Sequence, residues 1–246
     1  MGLQAKDNPM FKDRIEAAGM LALRLRRYRG QSPLILAIPR GAVPMGAVLA
    51  QQLDGELDVV LVHKLCAPLQ PELAIGAIDE SGHASLAAHA TSVGATPAWI
   101  TAEKNRQTQT LQQRRRLYRP LRGPVPVRGR QVIVVDDGLA TGATMAAALT
   151  AVRRGKPARL VCAVPVASSE ALHQVQALAD ETVCLSTPPM FQAVGQFYEH
   201  FPQVSDDEVA QCLNQRSLFP RGSAPQAKSS ASRRIGAAAS LAASSG

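Results

Sequence analysis

Apolar residues in this chain gather in short unbroken runs. Leu34 to Ile38, Val59 to Val62, Val132 to Val135, Leu160 to Val166 and Thr182 to Leu185 are rich in Val, Ile and Leu and are bounded by Gly, Pro or charge. Runs of that length and composition predict buried strands. Between them the spacing becomes helical. Phe11 to Tyr28 places Ile15, Ala18, Leu21, Ala22 and Leu25 on one face, while Val43 to Leu53, Thr141 to Arg154 and Ser168 to Ala179 follow strands closely, the last with Ser168 as N-cap. Strand and helix alternating at this rhythm predict an α/β fold: a mostly parallel twisted sheet with helices on both faces and right-handed crossovers.

One interval breaks the alternation. From Lys64 to Ala98 there is no long helical period, and the stretch is too long for an idle connection, so it reads as a functional loop, an antiparallel β excursion, or both. Trp99 to Tyr118 then reads as a helix with Thr101 as cap and Glu103 in its positive first turn. Residues 1–216 form the expected domain, and the Ala- and Ser-rich segment 217–246 is expected to be disordered.

Composition narrows the classes. With 246 residues, 46% of them hydrophobic and 4% aromatic, the chain has material for one sizeable core. It contains no apolar run long enough to span a membrane, and its polar opening MGLQAKDNPMFKDR predicts no secretory signal, so a cytoplasmic location without a membrane partner is expected. Cys66, Cys162, Cys184 and Cys212 are far apart and form no C-x-x-C pair, which argues for inert thiols over a zinc site or disulfides. The net charge of +8 is local rather than general: the tail carries four basic residues and no acid, and QQRRRLYRPLRGPVPVRGR supplies seven arginines. That arginine-rich 114–130 stretch reads as a solvated helix end and polar linker, with an anion-attracting rim or RNA contact as the alternative. Nucleic acid is not the expected partner.

The most informative stretch is VIVVDDGLATGATM, Val132 to Met145. Four β-branched aliphatics lead to two adjacent carboxylates, Asp136 and Asp137, and then to a glycine- and threonine-rich turn that opens a helix. A P-loop is excluded because Ala143 follows Gly142 where a lysine is required, and a dinucleotide fingerprint is excluded because the only glycines are Gly138 and Gly142. Ala140, Thr141, Gly142, Ala143 and Thr144 still suit one phosphate monoester, held by helix-opening N–H groups and the two threonine hydroxyls. The carboxylates would repel that phosphate and need another partner. Vicinal sugar hydroxyls fit, since ionised carboxylates accept strongly from O–H donors, and a diol near a terminal phosphate describes ribose 5-phosphate. Carboxylates near the anomeric carbon would also stabilise positive charge developing there.

These residues, a hydrophobic strand, an acidic pair, three variable positions and T-G-x-T, resemble the 5-phosphoribosyl 1-pyrophosphate (PRPP) binding motif of type I phosphoribosyltransferases. The stretches FKDR, IPRGAVP, PELAIGAI, AVPVA and AVGQFYEHFPQVSDDEV extend the resemblance, over about Phe11 to Leu213, to a bacterial subgroup of predicted phosphoribosyltransferases of undefined substrate. The resemblance implies a glycosyltransferase of pentosyl type that displaces pyrophosphate from PRPP with a nucleobase as acceptor. It assigns the ribose diol to Asp136 and Asp137, the 5-phosphate to residues 140–144, and the pyrophosphate to Arg40, Gly41 and Lys64. Mg²⁺, held mainly by PRPP and not by protein side chains, is the implied cofactor. It also implies a flap at about residues 66–98 and a small hood from 186–214, where Phe191, Phe197 and Tyr198 are candidates for stacking the acceptor or for ordinary packing. Ala140 stands where 6-oxopurine enzymes of the family carry a base-contacting aspartate, which disfavours hypoxanthine and guanine. A homodimer stays open, as do a PRPP-sensing regulator that binds RNA or a protein partner and a PRPP hydrolase.

Overall fold

A computed structural model describes residues 10–120 and 123–215; the tail expected to be disordered, 217–246, lies outside the described residues. The elements run α1 (Arg14–Arg24), β1 (Leu34–Ala37), α2 (Val43–Gln52), β2 (Glu56–Val59), β3 (Val62–Ala67), β4 (Gln70–Asp79), β5 (Ala84–Leu86), α3 (Pro97–Tyr118), β6 (Gln131–Val135), α4 (Ala143–Arg154), β7 (Arg159–Val166), α5 (Ser169–Gln176), β8 (Glu181–Ser186) and α6 (Asp206–Gln215), with 3₁₀ turns at Arg26–Tyr28 and Val194–Phe197.

Five strands form a parallel sheet in the order β2-β1-β6-β7-β8. Alternation along β6 divides the core. Ile133 and Val135 join Leu21, Leu25, Met45 and Leu49 of α1 and α2 on one face, while Val132 and Val134 join Met145, Leu149 and Val175 of α4 and α5 on the other. Each of these large side chains, taken out of water, contributes about 1.5–3 kcal/mol to the fold. Chain order reverses across the sheet between β1 and β6, and in open α/β sheets the crevice beyond the carboxyl ends at such a switch point is where ligands bind.

The irregular interval is largely an antiparallel sheet, β3-β4-β5, whose β3–β4 register slips between Leu65 and Ala67. The expected strand Val59–Val62 therefore divides: β2 ends at Val59, and Val62 begins β3 in the second sheet. A charge in the middle of β2 hid the true span. Asp58 is 0% exposed and is offset by Arg119, 3% exposed, whose Nε donates to Asp58 Oδ1 at 2.9 Å. Arg119 Nη1 donates to Glu80 at 2.6 and 2.9 Å, and the Val125 N–H donates to Asp58 Oδ2 at 2.9 Å. The solvated helix end expected for the arginine-rich stretch is thus corrected at Arg119, which pins the β4–β5 turn and the end of α3 to β2. Arg130 likewise pairs with Glu56. Of the thiols, Cys162 is buried and the other three are half-buried, and none of the four is in a disulfide.

Helix starts differ for local reasons. Asp13 caps α1, accepting from Ile15 and Glu16 N–H at 2.9 Å, and α1 is shorter than the periodicity over Phe11 to Tyr28 predicts. Thr96, not Thr101, caps α3, because Pro97 can occupy the first helical position without a missing donor. Thr101 instead donates to the Pro97 carbonyl, and Glu103 is buried against Arg106 and Gln107. A cavity of about 480 Å³, lined by Val59 to Leu61, Asp79 to Ser81 and Arg154 among others, lies at the C-terminal end of α4. That is about 16 Å along the helix from its opening loop, at 1.5 Å per residue.

Candidate active site

β1 and β6 pair in register, Ala37 beside Val135, so the turns after both strands emerge at one edge of the sheet. The β1 turn continues through Ile38, whose N–H donates to the Val135 carbonyl at 3.0 Å, and through a cis Pro39–Arg40 peptide to Gly41. The β6 turn carries Asp136 and Asp137. The two turns touch: a Cβ at position 41 would collide with the Asp137 carboxylate and lie 3.2 Å from Arg14 Nη2. Glycine is what allows this approach.

Each acid is held by one oxygen. The Asp137 N–H donates to Asp136 Oδ1 at 2.9 Å, and Arg14 Nε donates to Asp137 Oδ2 at 2.9 Å. The Tyr198 hydroxyl donates to the Asp137 carbonyl at 2.6 Å. Asp136 Oδ2 and Asp137 Oδ1 have no partner among the described residues. Burial first, and then repulsion from Asp137, push the Asp136 carboxyl well above the usual range. Burial also raises Asp137, with the Arg14 guanidinium pulling against it. Burial and the nearby Asp136 charge together push up the Cys162 thiol behind the pair.

Beyond the acids, Ala140, Thr141, Gly142, Ala143 and Thr144 form the loop that opens α4. Gly142 adopts φ +73°, a left-handed conformation that glycine takes at little cost, and is packed against Ala171. Ser168, the cap of α5, clamps the loop by donating from Oγ to the Ala140 carbonyl at 2.8 Å. Ala140, Thr141 and Thr144 are exposed. Apart from a 3.5 Å contact from the Ala143 N–H to Thr141 Oγ1, the N–H groups of residues 140–144 meet no acceptor among the described residues. Outward unpaired N–H groups at a helix start make an anion site.

The remaining candidates are placed less uniformly. Arg40 is exposed beside Gly41, with Nη1 3.7 Å from Asp206 Oδ2 in the first turn of α6, and the Tyr118 hydroxyl donates to the same carboxylate. Lys64, expected at the end of the second core strand, instead sits inside β3 opposite Ala77, on the hairpin. Phe197 and Tyr198 are 6% and 5% exposed and belong to the core; Phe191, half-buried, packs against Phe197 with ring centroids 5.0 Å apart. These rings pack against one another and against the core.

Sequence reasoning missed Arg14, Tyr118 and Asp206. The signal for Arg14 was present, since it shares a helical face with the buried Ala17, Ala18, Leu21 and Leu25, where a charge needs a partner. Tyr118 and Asp206 meet across 88 residues of chain, and no local pattern marks such a pair.

The parallel sheet thus carries, at its switch point, an acid pair followed by a glycine- and threonine-rich loop that opens a helix. Residues 4–201 match the family model described as the phosphoribosyl transferase domain, and the chain belongs to that family, a class of pentosyltransferases. A Mycobacterium tuberculosis protein, named only provisionally as a phosphoribosyl transferase and recorded in two strains, is 41% identical over 208 residues, covering 83% of this chain and 46% of its own length. The chain thus spans about half the length of the curated relatives it matches. Among solved structures, TT1426 from Thermus thermophilus is 42% identical with a TM-score of 0.76, the match covering 83% of this chain and 98% of that one. Among the described residues no helix is long and apolar enough to cross a membrane.

Proposed function

We propose that this chain transfers the 5-phosphoribosyl group of PRPP to a nitrogen of a nucleobase, with inversion at the anomeric carbon and release of pyrophosphate. The observation that carries this reading is the pairing of two open carboxylate oxygens with an unpaired N–H loop across one strand tip. Asp136 Oδ2 and Asp137 Oδ1 accept from the ribose hydroxyls, and the N–H groups of Ala140 to Thr144 take the 5-phosphate. Arg40 and the Gly41 backbone stabilise the leaving pyrophosphate. Little covalent chemistry falls to the protein, so the rate gain comes from positioning and electrostatics.

The magnesium ion implied for the family would arrive on PRPP, ligated by its pyrophosphate and hydroxyls, and supplies charge neutralisation. The donor set fits such a substrate: two carboxylates facing the diol favour a net positive neighbour, while the anion loop carries no acid. Ala140 has no carboxylate for a 6-oxopurine ring, which disfavours hypoxanthine and guanine as acceptors.

An acceptor screen by mass spectrometry, with PRPP, magnesium and a panel of bases, tests this directly. The expected result is one ribonucleotide product with pyrophosphate released only when its base is present. Pyrophosphate release without any base would instead mark a hydrolase, and tight PRPP binding without turnover would mark a sensor. Gly41→Ala supplies a second expectation. Its Cβ displaces the Asp137 carboxylate, and because a displacement of about 1 Å costs on the order of 10²-fold in rate, turnover should fall by about that factor with circular dichroism unchanged.

A further inference from the structure

We infer that Arg14 is a positioning residue for the sugar-binding acid: its fork fixes which oxygen of Asp137 is left for the substrate and locks the hood to the acid pair. The inference rests on the phosphoribosyl reading of the crevice. Arg14 does not touch the proposed sugar position, and it acts through Asp137.

Three contacts hold the guanidinium in one orientation. Nε donates to Asp137 Oδ2 at 2.9 Å, Nη1 donates to the Pro202 carbonyl at 2.7 Å, and the group lies 3.7 Å from the centroid of the Phe201 ring. Phe201 stacks on Tyr198, centroids 4.9 Å apart, and Tyr198 donates to the Asp137 carbonyl. Arg14, Phe201, Tyr198 and Asp137 thus close a ring of contacts that joins α1, the hood and the β6 turn. The ion pair is shielded, with side-chain exposures of 10% and 16%, so it is screened far less than a surface pair. A planar fork satisfied on two edges and covered on its face cannot be reproduced by a lysine.

The geometry also determines charge. The groups bearing on Asp137 are Asp136 beside it, Arg14 from α1 and Tyr198 from the hood, with Cys162 of β7 near Asp136; from the β1 turn the Gly41 backbone approaches Asp137, and the Arg40 guanidinium next to it is paired with Asp206 at 3.7 Å. Arg14 is the cation hydrogen-bonded to Asp137. Burial raises Asp137, and Arg14 opposes that rise. Removing Arg14 moves the Asp137 titration further upward, so PRPP affinity, which needs the ionised acid, is lost at a higher pH as pH falls.

Equilibrium dialysis of magnesium-PRPP from pH 5 to pH 9, with the full chain, tests this in wild type, Arg14→Gln, Arg14→Lys, Asp137→Asn and the Arg14→Gln/Asp137→Asn double variant. In Arg14→Gln the acid limb of affinity should move up by about one pH unit or more, the size of effect a neighbouring charge exerts, and affinity should recover in alkali. Arg14→Lys should keep the limb near its wild-type place and bind roughly tenfold more weakly, since the charge remains and the fork is lost. Once Asp137 is Asn, removing Arg14 should cost little more. An unmoved limb in Arg14→Gln, or additive losses in the double variant, would overturn the inference. If Arg14→Gln does not fold, Arg14→Lys decides, and wild-type affinity there would overturn it. Wild type that fails to bind PRPP sinks the phosphoribosyl reading itself, an outcome distinct from wild-type binding with an indifferent Arg14.

Discussion

Asp136→Asn with Asp137→Asn should lower turnover of PRPP by about 10³-fold or more, the scale seen when preorganised electrostatic groups are removed, while the melting temperature at neutral pH stays level or rises. The two effects have one source. Both carboxyls titrate above the ordinary aspartate value of 3.8, chiefly from burial, with mutual repulsion adding for Asp136. A carboxyl with a raised folded pKa costs stability when ionised. That cost is absent below the ordinary value, grows as pH rises through the raised ones, and is fully present above them. The stability difference between variant and wild type should therefore vanish near pH 3 to 4 and be largest at neutral pH and above. Paired melting curves and pyrophosphate-release assays across pH would check both halves. A destabilised variant at pH 7 would mean that the acids are structural.

The second large effect concerns Arg119. Arg119→Ala takes the Arg119 ion pair from the Asp58 carboxylate, 0% exposed, and from Glu80. Breaking a buried ion pair on one side costs about 3–5 kcal/mol, which for a domain of this size is roughly 6–20 °C in melting temperature. Arg119→Met combined with Asp58→Asn should recover much of that loss, because the fully buried Asp58 charge goes together with its Arg119 partner and only the partly exposed Glu80 loses its arginine. The network ties the β4–β5 turn to β2, and hydrogen exchange in β3 to β5 should rise most in Arg119→Ala. Uniform loosening of the parallel sheet instead would show that the arginine supports the core and not the hairpin.

The order of these elements was legible because the parallel strands are buried on both faces. Val132 to Val135 and Leu160 to Val166 are uninterrupted apolar runs, and the turns after them carry the residues that the motif names. β2 is hard to read from sequence because Asp58 stands inside it, and its charge is offset by Arg119, 61 residues away in sequence. The acid pair and the loop that opens α4 are local in sequence, so their nearness at one strand tip is legible from the order of residues along the chain. Arg14 reaches the same acid from 123 residues away, and Asp206 meets Arg40 through α6. Such contacts depend on how helices dock, which periodicity does not encode. Lys64 shows the converse: a residue matched to a motif position by order along the chain was placed on a different sheet by the folding of the hairpin.

The most direct measurement of the central claim is a calorimetric titration of magnesium-PRPP into the wild-type chain and into the Asp136→Asn/Asp137→Asn variant. Saturable binding at one site per chain in the wild type, lost in the variant, is the predicted result. No heat of binding in the wild type, or equal affinity in the two proteins, would contradict it.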